Sequence, residues 1–188
     1  MKHCSTFAVP KEKRNSMLSD KMVQALNEQI SMEGAAMQKY LAMALWCDSA
    51  GLEGAAGFYY DQSDEERMHM MKIVHYVQDQ DRVATVPALA SPKHSYEDIY
   101  EVVQAGYDSE KAVTASIHLL VELAESENDR QTFNFLQWYV TEQLEEEVMC
   151  RRIIDRMKLI GTGGRYLYYI DKAFTVIRAE AEAADNEA

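Results

Sequence analysis

Apolar residues recur at spacings of three and four along most of the chain, which is the period of an amphipathic helix. The stretches between its three prolines are rich in Ala, Leu, Met, Glu, Gln and Lys, which favour helix. The pattern predicts a first helix from Ser19 to Asp48, a second from Glu53 to Gln80, a third beginning at Ser95-Tyr96-Glu97-Asp98 and ending near Glu125, a fourth beginning at the capping box Asn128-Asp129-Arg130-Gln131 and ending before Gly161, and a shorter fifth from Tyr166 to Glu180.

The longest predicted connection runs from Asp81 to His94 and contains two prolines and several β-branched residues, which disfavour helix. Fully extended, it reaches at most about 46 to 50 Å, and a helix of about 27 residues is about 40 Å long. This linker can therefore span a bundle, whereas the connections after the first and third helices are short turns. The predicted fold is all-α, a four-helix bundle with one long crossover plus a short fifth C-terminal helix.

Length predicts one domain, residues 18–180, between an N-terminal extension of residues 1–17 and an acidic tail of residues 181–188. No apolar run approaches the roughly 20 residues that a membrane span needs, and the first residues lack the apolar centre of a secretory signal. We therefore expect a soluble, cytoplasmic protein with no membrane partner.

Asp and Glu total 31 against 19 Lys and Arg, a formal charge of −12, which argues against nucleic acid as a partner. The three cysteines, Cys4, Cys47 and Cys150, are widely spaced and form no C-x-x-C pair. Neither a disulfide framework nor a zinc or rubredoxin-type site is indicated.

The candidate chemistry begins with Glu66 and His69, because residues three apart on a helix share a face and can ligate one cation together. Alone, an E-x-x-H motif is weak, since Glu-rich helices produce it by chance. Three other predicted helices add Glu33, Glu110 and the segment Gln143-Leu144-Glu145-Glu146. A di-iron bundle takes one Glu from each of two helices and an E-x-x-H from each of the other two.

The chain departs from that template in the fourth helix, because no second E-x-x-H occurs anywhere in the sequence. The second metal position should therefore have fewer protein ligands and hold its ion more weakly. Mixed carboxylate and imidazole ligands suit Fe(II) or Mn(II). Tyr40 lies two turns after Glu33 on the same face, where it could hydrogen-bond a ligand, donate an electron or simply fill the core.

Several segments resemble the signatures of bacterial non-haem ferritin. They are Leu26-Asn27-Glu28-Gln29-Ile30-Ser31-Met32-Glu33, Asp64-Glu65-Glu66-Arg67-Met68-His69, Thr132-Phe133-Asn134-Phe135-Leu136-Gln137-Trp138-Tyr139-Val140-Thr141-Glu142-Gln143-Leu144-Glu145-Glu146-Glu147 and Tyr166-Leu167-Tyr168-Tyr169-Ile170-Asp171. The resemblance covers about Met17 to Thr175, and the segment through Trp138 to Glu147 is its most specific part.

This resemblance implies a ferroxidase centre and iron storage. Glu33, Glu66 and His69 would form the first iron site, and Glu66 would bridge to a second site completed by Glu110 and Glu146. Gln143 would hydrogen-bond bound oxygen or water, and Tyr40 would be the nearby redox-active tyrosine. The remaining implied positions belong to a third iron site, Glu65, Glu142, Glu145 and Glu146.

The resemblance further implies that Fe(II) is oxidised by dioxygen or peroxide and stored as an Fe(III) oxyhydroxide mineral inside a shell of 24 identical subunits, with no haem. A rubrerythrin-like or bacterioferritin-like di-iron oxidoreductase is the alternative. Both would usually show a second E-x-x-H, and the former often a C-x-x-C module. A metal-free assembly bundle would leave Glu33, Glu66, Glu110 and Glu146 buried as unpaired charge, which is costly.

Overall fold

The computed structural model describes residues 18–161 and 163–185, so the predicted extension, residues 1–17, lies outside the described part of the chain. Within that part the chain is helical and contains no strand, which confirms the all-α prediction. The elements are α1 (Asp20–Ser49), α2 (Glu53–Asp79), α3 (Ile99–Ser126), α4 (Arg130–Ile160), a 3-10 turn (Gly164–Tyr166) and α5 (Leu167–Asp185).

Side-chain caps fix the starts of three long helices. Ser19 accepts a hydrogen bond from the Met22 amide at 2.9 Å, as an N-cap serine does. Asp98 caps α3 and Asp129 caps α4 in the same way. Within the segments predicted as capped starts, the aspartates are therefore the N-caps. The last helix, α5, continues five residues past the predicted end at Glu180.

The long linker runs beside α1, as the crossover prediction requires. The Thr85 amide donates to the side chain of Asn27 at 2.6 Å. Further along, Leu89 lies against Gly34, where an added Cβ would come within 3.2 Å of a Leu89 methyl carbon. The two contacts lie about two turns apart along α1, so the linker carries the chain along the bundle to the start of α3.

The four long helices form a square. α1 packs against α2 and α3, and α3 packs against α4. The fourth side is closed by α2 and α4, which together line two grooves. The bundle thus has two opposite lateral faces, named here the α1/α3 face and the α2/α4 face. None of the described helices is long and apolar enough to cross a membrane.

The fifth helix packs across one end of α2 and α4. Gly54, at the start of α2, permits this approach, because a Cβ there would lie 2.3 Å from the carbonyl oxygen of Asp171. The Asp171 side chain accepts from the Ala55 amide at 2.9 Å and so stabilises the first turn of α2, which has no side-chain N-cap.

Two apolar clusters fill the bundle, one near α5 and one at the far end. The cluster near α5 includes Tyr40, Val103 and Ile153, and the far cluster includes Ile30, Ile73 and Val113. Between them lies a polar layer contributed by all four long helices. Its buried members are Glu33, Glu66, His69, Glu110, Gln143 and Glu146.

Candidate metal centre

The predicted ligands converge inside the bundle. Glu33 on α1 and Glu110 on α3 are completely buried, and Glu66, His69 and Glu146 are 3 to 4% exposed. Ligand atoms of Glu33, Glu66 and His69 all lie within 4.8 Å of one another, as needed for three ligands of one cation. The structure therefore brings together the three residues predicted to form the first iron site.

Three carboxylate oxygens in this layer have no hydrogen-bond partner among the described residues. They are Oε2 of Glu33, Oε2 of Glu66 and Oε2 of Glu146. A buried polar atom without a partner costs free energy, and a buried charge costs far more. Only 3.5 Å separate Glu66 Oε2 from Nδ1 of His69. These carboxylate oxygens and the imidazole nitrogen suit a cation that accepts both kinds of ligand, such as Fe(II).

Burial and mutual repulsion raise the pKa values of these carboxyls. For Glu66, burial and then the charge of Glu110 raise the pKa from 4.5 to about 8. Burial is also the main cause that raises the pKa of Glu33 and of Glu146, and the next cause is the charge of a neighbouring glutamate. The centre therefore holds protons when it holds no cation. Cation binding must displace them, which makes metal affinity rise with pH.

Glu110 is oriented by two buried side chains. The hydroxyl of Tyr40 donates to Glu110 Oε1, and the Gln143 amide donates to Glu110 Oε2 at 3.1 Å. Both hydrogen bonds oppose the burial that raises the pKa of Glu110. Of the three possible roles considered for Tyr40, the hydrogen bond to a candidate ligand is the one that the geometry supplies. The redox role of Tyr40 stays a prediction, as does a contact between Gln143 and bound oxygen.

Glu33 is held by a relay that the sequence did not predict. The Gln29 amide donates to Glu33 Oε1 at 2.8 Å, and the Ser116 hydroxyl of α3 donates to the Gln29 oxygen at 2.6 Å. Gln29 is completely buried one turn before Glu33. Its position on the ligand face was visible in the sequence, but its partner on α3 was not.

His69 is held by the aromatic residues of α4. Tyr139 donates to the His69 carbonyl oxygen at 2.7 Å, and the Trp138 ring meets the imidazole edge-on at 5.3 Å. Tyr139 belongs to the apolar core, whereas Trp138 does not. The indole is 37% exposed, because it lies at the rim of the α2/α4 face under the Lys72 ammonium group.

The predicted third site lies on the α2/α4 face. Ligand atoms of Glu65, His69 and Glu142 lie within 4.8 Å of one another, so His69 belongs to both this group and the first. Glu145 is outside this group and exposed, although it lines the same groove as Glu65 and Glu142. The four predicted positions thus line one groove, and of these Glu146 belongs to the buried layer.

Comparison with known proteins identifies the family. A profile of the ferritin-like domain matches residues 23–160. A probable bacterial non-heme ferritin-like protein of Haemophilus influenzae is 40% identical over 156 residues, covering 83% of this chain and 94% of that protein. A bacterial non-heme ferritin of Campylobacter jejuni is also 40% identical over 156 residues, covering 83% of this chain and 93% of that protein.

Solved structures agree with this assignment. An open-pore ferritin from the hyperthermophilic archaeon Archaeoglobus fulgidus superposes with a TM-score of 0.81 at 39% identity, over 84% of this chain and 98% of the other. A ferritin of Chlorobium tepidum gives 0.76 at 36% identity, over 84% and 96%. With the buried carboxylate layer in place, the chain belongs to the ferritin family.

Proposed function

We propose that this protein stores iron and that its buried layer is a ferroxidase centre. The observation that carries the proposal is the set of three unpartnered carboxylate oxygens beside His69 in the middle of the bundle. A bundle that served assembly alone would gain stability by replacing these acids with apolar residues. The names of the relatives, bacterial non-heme ferritins, support the same reading.

Iron is the substrate of the proposed reaction. Glu33, Glu66 and His69 hold one Fe(II), and Glu66 also reaches a second Fe(II) that Glu110 and Glu146 complete. Each Fe(II) gives up one electron, so a pair of ions reduces dioxygen to hydrogen peroxide, or peroxide to water, with uptake of two protons. Fe(III) then leaves and hydrolyses to an oxyhydroxide mineral, which releases protons to solvent.

The protein's own contribution is to exclude water from the iron ions, to position them and to neutralise their charge. The apolar clusters above and below the layer keep it dry, which strengthens carboxylate–cation attraction. Tyr40 and Gln143 keep Glu110 turned toward the layer, and Gln29 does the same for Glu33. We propose that Glu65, Glu142, Glu145 and Glu146 serve a third iron site beside the pair.

Assembly completes the proposed function. A mineral needs an enclosed volume, and we propose a shell of 24 identical subunits in the cytoplasm, as the ferritin resemblance implies. The acidic surface that would face the cavity then offers places for Fe(III) to collect.

The proposal is tested by adding Fe(II) to the assembled protein without oxygen and then admitting air. About two irons per subunit should oxidise rapidly, followed by slower growth of a mineral. Glu66→Ala and His69→Ala should lose the rapid phase, because each removes a ligand of the first ion. His75→Ala, an exposed histidine on the same helix, is the matched control and should keep it.

Two outcomes would count against the proposal. Rapid oxidation that survives in Glu66→Ala would refute the assignment of the centre. A small oligomer that oxidises iron and never mineralises would refute storage while leaving the metal centre intact.

A further inference from the structure

The two lateral faces of the bundle give a cation very different access to the buried layer. On the α2/α4 face, a groove of about 640 Å³ leads inward. Glu146 lines it, 4% exposed and with an unpartnered Oε2, so the groove ends at a candidate ligand. Its remaining carboxylates are partly or fully exposed, and they are Asp61, Asp64, Glu65, Glu142 and Glu145. Two arginines, Arg152 and Arg178, line the same groove, and Arg178 pairs with Asp61, so with Glu146 the carboxylates outnumber the cationic groups by six to two.

On the α1/α3 face, a lysine side chain lies beside the buried layer, whereas carboxylates lie beside it on the α2/α4 face. The half-buried Lys39 donates from Nζ to the Ser109 hydroxyl at 2.7 Å and so joins α1 to α3. Lys39 directly precedes Tyr40, and Ser109 directly precedes Glu110. The ammonium group is near enough to Glu66 and Glu110 for its charge to act on both carboxyls.

A second hydrogen bond joins the same two helices further along. Ser116 on α3 donates to Gln29 on α1, and Gln29 in turn donates to Glu33. Apart from the hydrogen bond of Tyr40 to Glu110 inside the layer, the described side chains that bridge α1 and α3 near the layer are hydroxyl, amide and ammonium groups. Lys39 is the charged member of this set, and the nearby carboxylate of Asp108 is paired with Lys111.

We propose that Lys39 repels divalent cations from the α1/α3 face, so that Fe(II) reaches the buried layer through the acidic groove of the α2/α4 face. A half-buried charge is screened by salt much less than a surface charge, so it acts on an approaching cation at short range. Opposite charge in a cleft raises the rate of arrival of a cation, whereas like charge lowers it. This inference rests on the proposed function, since it assumes a cation centre between the two faces.

The test measures how fast Co(II) binds to the assembled protein, because Co(II) changes its visible absorption on binding and is stable in air. Stopped-flow mixing gives the rate, and titration gives the amount bound at equilibrium. Neutralising the groove with Asp64→Asn and Glu145→Gln should slow binding about tenfold. In that background, Lys39→Met should restore about threefold or more of the rate, because the α1/α3 face becomes passable.

Matched variants separate charge from hydrogen bonding. Lys39→Arg keeps the charge and should leave the slow rate of the neutralised background unchanged. Lys21→Met removes an exposed lysine from the same face of α1, far from the layer, and should also have no effect. The inference is supported if Lys39→Met is the only one of these three substitutions that raises the rate in the neutralised background.

The inference is overturned if Lys39→Met leaves the rate unchanged, or if Lys39→Met and Lys39→Arg slow binding equally. The latter would show that Lys39 acts only through its bond to Ser109. It is also overturned if the groove variants bind Co(II) as fast as the natural sequence. Failure of the proposed centre looks different, because the natural sequence would then bind no Co(II) at equilibrium.

Discussion

The apolar clusters and the polar layer occupy the same four helices and have opposite effects on the metal-free fold. In the clusters, side chains such as Ile117 and Leu136 are completely buried against other apolar groups, which stabilises the bundle. In the layer, three buried oxygens lack partners and the carboxyl pKa values are raised. The layer therefore destabilises the metal-free protein, as expected of residues that we propose bind a cation.

The largest expected effect on stability comes from truncating a side chain in one of the apolar clusters. Ile117→Ala should lower the free energy of unfolding by about 2 to 5 kcal/mol, because it removes buried methyl groups and leaves a cavity. Leu119→Ala, two residues on and 65% exposed, is the control and should change little. Thermal unfolding measures this loss, because each kcal/mol lowers the melting temperature by about 2 to 4 °C. Equal losses for the two variants would contradict the assignment of the core.

The next effect is stabilisation by the cation itself. Co(II) at 100 times its dissociation constant should add about 2.7 kcal/mol, because it binds only the folded layer. The melting temperature should rise in the natural sequence and stay unchanged in His69→Ala. If Co(II) raised the melting temperature of His69→Ala by the same amount, the cation would be binding elsewhere.

Removing one acid should stabilise the metal-free protein. In Glu33→Gln, the new amide can donate toward Glu66 at any pH, whereas the Glu33 carboxyl can do so only while it holds a proton, so we expect a gain of about 1 to 2 kcal/mol. Glu97→Gln, an exposed acid outside the layer, is the control. Chemical unfolding in the presence of a chelator measures both variants. A less stable Glu33→Gln protein would mean that the carboxylate stabilises the empty fold.

The smallest expected effect, taken over a single pH unit, is a dependence of stability on pH. The pKa of Glu66 is about 8 in the folded protein, against an ordinary 4.5, so between these values the folded state binds more protons than the unfolded state. The stability of the metal-free protein should therefore fall as the pH rises from about 4.5 to about 8, at most about 1.4 kcal/mol per pH unit for this group.

Comparing the natural sequence with Glu66→Gln isolates that contribution. Unfolding free energies at several pH values between 5 and 9 should fall less steeply with pH in the variant. Parallel curves for the two proteins would show that Glu66 is ionised across this range even without a cation.

Much of the fold followed from local rules. The helices were predictable because apolar spacing and the breaks at turns and prolines are local in sequence, and their lengths then required one long crossover. The buried polar layer was predictable because Glu66 and His69 share a helix face and each of the other three long helices carries an acid that the di-iron template requires. The exact N-caps, Asp98 and Asp129, did not follow from local rules, because neighbouring polar residues can also cap a helix.

The supports of the centre could not be predicted, because they join residues distant in sequence. Lys39 pairs with Ser109, and Ser116 with Gln29, across two helices whose relative rotation no local pattern fixes. The exposure of Trp138 depends in the same way on how α2 and α4 meet. Tertiary packing, rather than periodicity, decides such contacts.

The most direct test of the central claim is anomalous X-ray scattering from crystals soaked with Fe(II) in the absence of oxygen. We expect one iron peak among Glu33, Glu66 and His69, and a weaker one among Glu66, Glu110 and Glu146. A layer without iron, in crystals that bind iron only on the surface, would contradict it.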